Sequence, residues 1–102
     1  MIVKHNDTEY EVKIRITQYT NNKNMALLIT LKDGAPFTRL TVNLDEKLPE
    51  YYAYLDTNNT PWAESFVMKY NLGQPVGKAK ASGFCVYPLY HFDKDILERY
   101  TK

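Results

Sequence analysis

Tyr10-Glu11-Val12-Lys13-Ile14-Arg15-Ile16-Thr17 is the stretch that decides how the chain folds. Tyr10, Val12, Ile14 and Ile16 alternate with Glu11, Lys13, Arg15 and Thr17, and a side-chain period of two belongs to a strand with one face buried and the other in water. Downstream, Asn21-Asn22-Lys23-Asn24 breaks the alternation, because Asn tolerates the left-handed backbone of a tight turn. Met25, Leu27, Ile29 and Leu31 then share a face. Ala26, Leu28 and Thr30 lie opposite, so partial cover is expected there too. Asp33-Gly34 is the strongest short hairpin signal in the chain, with positive φ expected at both positions. Thr38, Leu40, Val42 and Leu44 form the return strand, and Ile2–Lys4 with a turn at Asn6-Asp7 adds a short first one. The first half thus predicts an antiparallel meander of about four strands.

The second half is mixed. Asp45-Glu46-Lys47-Leu48-Pro49 reads as a linker, since Pro49 blocks helix continuation. Tyr51 to Leu55 suits another strand before Asp56-Thr57-Asn58-Asn59 turns the chain. Thr60 is expected as a helix N-cap, with Pro61 in the first helical position, where a missing N–H costs nothing. Trp62, Phe66 and Tyr70 recur every four residues, joined by Ala63 and Val67, and Leu72-Gly73 ends the pattern after about three turns. From Gln74 the chain is extended, although Val76 to Ala81 alternates poorly. Ser82-Gly83 turns it into Phe84–Phe92, apolar on both faces, which predicts burial on both sides or a bulge, with Pro88 at an edge or at that bulge. Asp93 is placed to cap a short terminal helix reaching Tyr100. The predicted class is α+β: an antiparallel meander sheet of about five to six strands, a three-turn helix packed on one face and a short C-terminal helix, in a single domain over residues 1–102.

Composition narrows the function classes. With 102 residues, 13 Lys+Arg, 12 Asp+Glu and a net charge of +1, the chain lacks the overall field of a protein held to nucleic acid by charge, and it is no acidic mimic of one. One cysteine excludes an internal disulfide framework and a Cys-based zinc cluster. No apolar run approaches the ~20 residues that span a bilayer. Met1-Ile2-Val3-Lys4-His5-Asn6-Asp7 turns polar too soon for a secretory signal, so a soluble, cytoplasmic protein is expected.

Leu72-Gly73-Gln74-Pro75-Val76-Gly77, then Ser82-Gly83-Phe84-Cys85-Val86-Tyr87-Pro88-Leu89-Tyr90, with Asp56-Thr57-Asn58-Asn59 upstream, resembles an uncharacterised small bacterial domain family. Its members occur largely in Gram-positive bacteria, gut species included, often on conjugative elements or prophages. The likeness covers about the last half of the chain and the earlier strands fit only in outline. It implies cargo of a mobile element and no activity, so no functional residue carries over.

The residues offer few chemical constellations. A Cys85 thiolate would need an adjacent base, and His91 is the nearest candidate. Six residues of extended strand, at about 3.3 Å each, hold the two roughly 20 Å apart unless Pro88 folds the chain back. The expectation is a packed thiol and a strand-end imidazole. His5 and His91 could converge on Asp7 or Asp93, but neither belongs to a spaced ligand motif, and two surface histidines are expected. Asp45, Glu46, Glu50 and Asp56, with Lys47 among them, look like a solvated acidic edge, and Gly73, Gly77 and Gly83 make no phosphate loop. No catalytic residue, metal ligand or cofactor is expected.

Two surfaces remain as candidates. Lys69, Lys78 and Lys80 form an acid-free stretch that could hold single-stranded nucleic acid beside Tyr87 or Tyr90, with an ordinary soluble surface as the competing account. Nine tyrosines are the unusual feature. Tyr10, Tyr70 and Tyr100 read as core, whereas Tyr52 and Tyr54 share a strand face opposite Tyr51. Tyr52, Tyr54 and Asp56 are the candidate protein interface, with core filling as the competing role for the tyrosines. The expected function is a non-enzymatic protein-interaction module of a mobile element, inhibition of a host defence system being one version. The alternative is a weak nucleic-acid-binding accessory protein. Either a monomer or a strand-paired homodimer is expected, without membrane contact.

Overall fold

The computed structural model describes residues 1–101. Its elements run β1 (Ile2–His5), β2 (Thr8–Gln18), β3 (Met25–Leu31), β4 (Pro36–Arg39), β5 (Thr41–Val42), β6 (Tyr52–Leu55), α1 (Ala63–Lys69), β7 (Gly73–Ser82), β8 (Cys85–Phe92) and α2 (Lys94–Thr101). The class is α+β, but the strands form two antiparallel four-stranded sheets, β1-β2-β3-β4 and β5-β6-β8-β7, and not one sheet of five or six. The extra strands arise where the expected return strand bends. Leu40 donates its N–H to the Leu27 carbonyl of β3, and its own carbonyl accepts from the Asp56 N–H just past β6. One continuous stretch therefore leaves the first sheet as β4 and enters the second as β5, a corner that lets both sheets close on a shared core.

That core takes Val12, Ile14, Leu27 and Ile29 from the first sheet, Ala53, Leu55, Tyr90 and Phe92 from the second, Ala63, Phe66 and Val67 from α1, and Leu97 from α2. The inward residues of β2 are the alternating set, and Glu11, Lys13 and Arg15 are exposed. At the core margin six rings touch in series, Tyr10–Phe37–Trp62–Phe66–Tyr70–Tyr100, with centroids 4.9 to 6.2 Å apart. Each such pair adds about 0.5–1.5 kcal/mol beyond the area it buries.

The turns differ in detail from expectation. Asn6 (φ 52°) and Asp7 (φ 63°) both take the left-handed region, the twist-matching hairpin geometry. At Asp33-Gly34 only Gly34 does (φ 94°), because the loop has three residues: Gly34 N–H donates to the Leu31 carbonyl, Leu31 N–H to the Ala35 carbonyl, and the Asp33 carboxylate accepts from the Ala35 N–H. Helix α1 is seven residues long, shorter than three turns, and Thr60 does not cap it. The Thr60 hydroxyl instead donates to the Arg39 carbonyl at 2.9 Å and meets the Thr38 hydroxyl, so Pro61 and Trp62 precede the helix as a turn. Asp93 does cap α2, accepting from the Ile96 N–H at 3.1 Å.

Strand β8 is buried on both faces and also faces a bulge. Tyr90 and Phe92 enter the main core, while Tyr87 and Leu89 join Leu48 and Tyr54 in a second cluster on the opposite face, roofed by the 43–51 linker. The bulge lies in β7, where Val76, Gly77 and Lys78 intervene between Pro75, paired with Tyr90, and Ala79, paired with Pro88. Pro88 thus occupies an inner strand, but beyond Leu89, the last residue of β8 that β6 reaches. Among the described residues no helix is long and apolar enough to cross a membrane.

Candidate functional site

Strand β8 runs past the end of β6, so from the Ala79–Pro88 pair outward β7 and β8 form a two-stranded ribbon with one face packed through Tyr87 on the linker cluster and the other open. Its turn is the two-residue Gly83-Phe84 link, with Gly83 at φ 61° and Phe84 at negative φ, which puts the Phe84 side chain in open solvent. Phe84 is 109% exposed and Val86 62%. Cross-strand partners share a face, so the Ala81–Val86 and Ala79–Pro88 pairs set four uncharged side chains in one strip behind Phe84. Ala79, Ala81 and Val86 are exposed and Pro88 is half-buried.

The opposite face is charged and held down. Lys80 donates to Glu46 Oε1 at 3.0 Å and to the Leu44 carbonyl at 3.5 Å, and Lys78 pairs with Glu46 Oε2 at 3.7 Å. Tyr54 donates its hydroxyl to the same Oε1 at 3.2 Å. The Lys80 hydrogen bond, the Tyr54 hydrogen bond and the two ammonium charges hold the Glu46 carboxyl below its ordinary pKa, against opposition from burial. Burial, then the Glu46 carboxylate, pushes Tyr54 up. The linker carrying Glu46 is pinned by Asn24, a buried amide that donates to the Glu46 carbonyl at 2.6 Å and accepts from the Leu48 N–H at 2.9 Å.

The expected site residues fall out as follows. Tyr54 is 1% exposed and Asp56 4%, so neither offers a contact surface; Tyr54 fills the second cluster, and the Asp56 carboxylate accepts from the Asn59 N–H and side-chain amide at the turn before α1. The alternation that put Tyr52 and Tyr54 on one face is correct, but the 43–51 linker roofs that face. Tyr52 is half-buried and stacked on His91, ring centroids 4.4 Å apart at 12°. Lys69 stands on α1 over the Tyr70 ring, while Lys78 and Lys80 sit on β7, so the three belong to two elements and two of them are paired with Glu46. Glu46, read as part of a solvated acidic edge, is a hub between the linker and β7.

Cys85 opens β8 half-buried beside Tyr87, and His91 lies six residues on with its ring against Tyr52. Tyr87 is pushed up by burial first, then by the Cys85 thiol and the Asp56 carboxylate. Tyr90, at the core face, is pushed up to about 12 by burial and by its 2.7 Å hydrogen bond to Glu64. His5 meets Phe37 edge-on at 6.4 Å. Among the described residues no three His, Cys, Asp or Glu side chains are grouped to hold a metal ion. The features that sequence reading missed are Phe84 and Val86, taken there as members of a buried strand. The two-residue Gly83-Phe84 link was their signal, because it leaves the second residue at the tip.

No curated protein and no solved structure matches the chain. One family does, over residues 13–102, a span that extends well upstream of the C-terminal half and takes in the corner at Leu40, the 43–51 linker and the whole β7–β8 ribbon. The chain belongs to that family, described as "Domain of unknown function (DUF4313)".

Proposed function

We propose that the chain is a non-catalytic protein-binding module of the cytoplasm that inserts the uncharged side of the β7–β8 ribbon into a groove on another protein. The observation that carries this reading is the strip of Phe84, Val86, Ala79, Ala81 and Pro88 on the open face of the two-stranded ribbon. An apolar tip of this kind is expensive to leave in water, and exposed apolar patches mark interaction sites. The strip offers five side chains where a standard interface takes about 20–30 residues a side, so a groove that encloses it is favoured over a second copy packed on it alone.

Strand pairing between copies is the weaker reading, because the sheet edges are blunted. Tyr70 caps β1 at Ile2, Thr60 covers β4 at Arg39, and β7 carries Pro75, a bulge and two lysines. A monomer is the expected state in solution. Nucleic-acid binding through Lys69, Lys78 and Lys80 is also weakened, since Glu46 neutralises part of the charge that would bind phosphates. The resemblance to domains of mobile elements suits a partner encoded by the host or the element, an inhibited defence protein being one version.

The test is affinity capture from native-host lysate, with and without nuclease, using the wild type and the Phe84→Asp/Val86→Asp double variant. Both substituted positions are exposed, so equal urea unfolding curves are expected for the two proteins. The reading requires a protein that survives nuclease and disappears with the double variant. Capture that the variant retains removes the ribbon from the interface, and loss of all captured material after nuclease favours the nucleic-acid alternative.

A further inference from the structure

We propose that the cleft between the β2–β3 hairpin and the 43–51 linker is a binding site for a small amphiphilic anion, an acidic group on an apolar body. The cleft encloses about 410 Å³, within the range of small-molecule sites. Its apolar lining comes from Ile16, Met25, Leu48 and Tyr51, all buried or half-buried, and its charged lining from Lys23, Lys47 and Glu50, all exposed. Thr17, Gln18 and Asn24 also line the cleft, so its walls mix apolar and polar groups, and two ammonium groups against one carboxylate favour a ligand that joins an apolar body to an anionic head.

The walls are held before any ligand arrives. Asn24 fixes the linker at Glu46 and Leu48, and Lys47 donates to the Asn22 carbonyl at 2.8 Å, tying linker to hairpin. Tyr51 is the third residue of a turn closed by the Tyr52 N–H on the Pro49 carbonyl, and it sits at φ 65°, where glycine is the unstrained choice. A bulky side chain there costs backbone strain and keeps an aromatic wall on the cleft. A cavity whose walls need no ordering loses less affinity on binding.

Decanoate is a suitable probe, with decanol as its uncharged counterpart, each titrated into the 15N-labelled chain and followed through backbone amide shifts. Saturable shifts are expected at Met25, Leu48 and Tyr51, with the Lys23→Glu variant and decanol each binding about fivefold more weakly, the scale of one exposed charge contact. Lys23 is exposed and its side chain holds no wall of the cleft, and the variant's amide spectrum away from the cleft reports its fold. Added salt weakens decanoate binding to the wild type if the head group is held by charge, a reading independent of any substitution. Absence of saturable shifts at the cleft, equal affinity for decanoate and decanol, or salt-independent binding overturns the proposal. None of these outcomes bears on the β7–β8 ribbon, which shares no residue with the cleft.

Discussion

The Tyr70 hydroxyl accepts a hydrogen bond from the Ile2 N–H at 2.7 Å and donates one to the Ile2 carbonyl at 3.3 Å. One side chain at the end of α1 thus does for β1 what a neighbouring strand would do, closing an edge that is only four residues long. The Tyr70 ring also sits between Phe66 and Tyr100, so the hydroxyl is delivered by aromatic packing.

Tyr70→Phe keeps that packing and removes both hydrogen bonds. It is expected to lower unfolding free energy by about 1 kcal/mol, the net worth of such bonds at a partly exposed site. Hydrogen exchange at the Ile2 amide is the sharper readout. Its protection is expected to fall by more than that of the Ile14 amide, and unchanged Ile2 protection would show that the edge is closed by something else.

Asn24 is the second positioning residue. Its amide donates to one linker carbonyl and accepts from one linker N–H, at a position 5% exposed. Asn24→Ala strands both partners and is expected to cost about 2 kcal/mol in urea unfolding. Asn24→Asp retains the acceptor for Leu48 and sets a carboxylate against the Glu46 carbonyl, so it is expected to be destabilising as well. Equal stability of Asn24→Ala and wild type would mean that the linker is held without the Asn24 amide, by Leu48 packing, the Lys47–Asn22 bond and the Glu46 contacts.

Side-chain period reports which face is buried, and it reports nothing about which backbone is next door. That difference separates what was legible in the chain from what was not. The alternation of Tyr10 to Ile16 located β2, and Asp93 identified the α2 cap, because both signals are local. Thr38, Leu40, Val42 and Leu44 keep their alternation straight through the corner at Leu40, where hydrogen bonding passes from β3 to β6. The period is unbroken there, so two sheets looked like one. Thr60 had the chemistry of a cap, yet its hydroxyl found Arg39, 21 positions away. Glu46 and Lys80 are 34 positions apart, and no local pattern couples them. The burial of Tyr54 has the same origin, since the linker that roofs it has no period of its own.

Gly73 and Gly34 are both glycines for reasons that substitution can separate. A Cβ on Gly73 would lie 2.7 Å from the His91 carbonyl oxygen and 3.0 Å from Phe92 Cα, where β7 meets β8. Both obstacles are backbone in a paired strand, so Gly73→Ala is expected to cost about 2 kcal/mol through forced displacement. At Gly34 the space is open and only φ 94° resists, so Gly34→Ala is expected to cost about 1 kcal/mol. Urea midpoints should rank Gly34→Ala above Gly73→Ala, and the reverse order would contradict the close approach of β7 to β8.

The pH response isolates the Glu46 hub. In the unfolded chain this carboxyl titrates near its ordinary value of 4.5, and in the fold the Lys80 and Tyr54 hydrogen bonds and the lysine charges hold it lower. Below 4.5 the unfolded state therefore takes up a proton before the folded state does, and stability falls with falling pH. The contribution is complete above 4.5 and disappears as pH drops through the lowered folded value. Glu46→Gln keeps the shape and has no proton to gain, so the stability gap between it and wild type is expected to be widest near neutrality and to close in acid. Salt should narrow the gap as well, because all three charged groups are in reach of solvent. Urea midpoints for both proteins from pH 7 to pH 3 provide the comparison. A gap that stays constant across that range would assign the effect of Glu46 to shape and hydrogen bonding, and would remove charge from the clasp that holds the linker against β7.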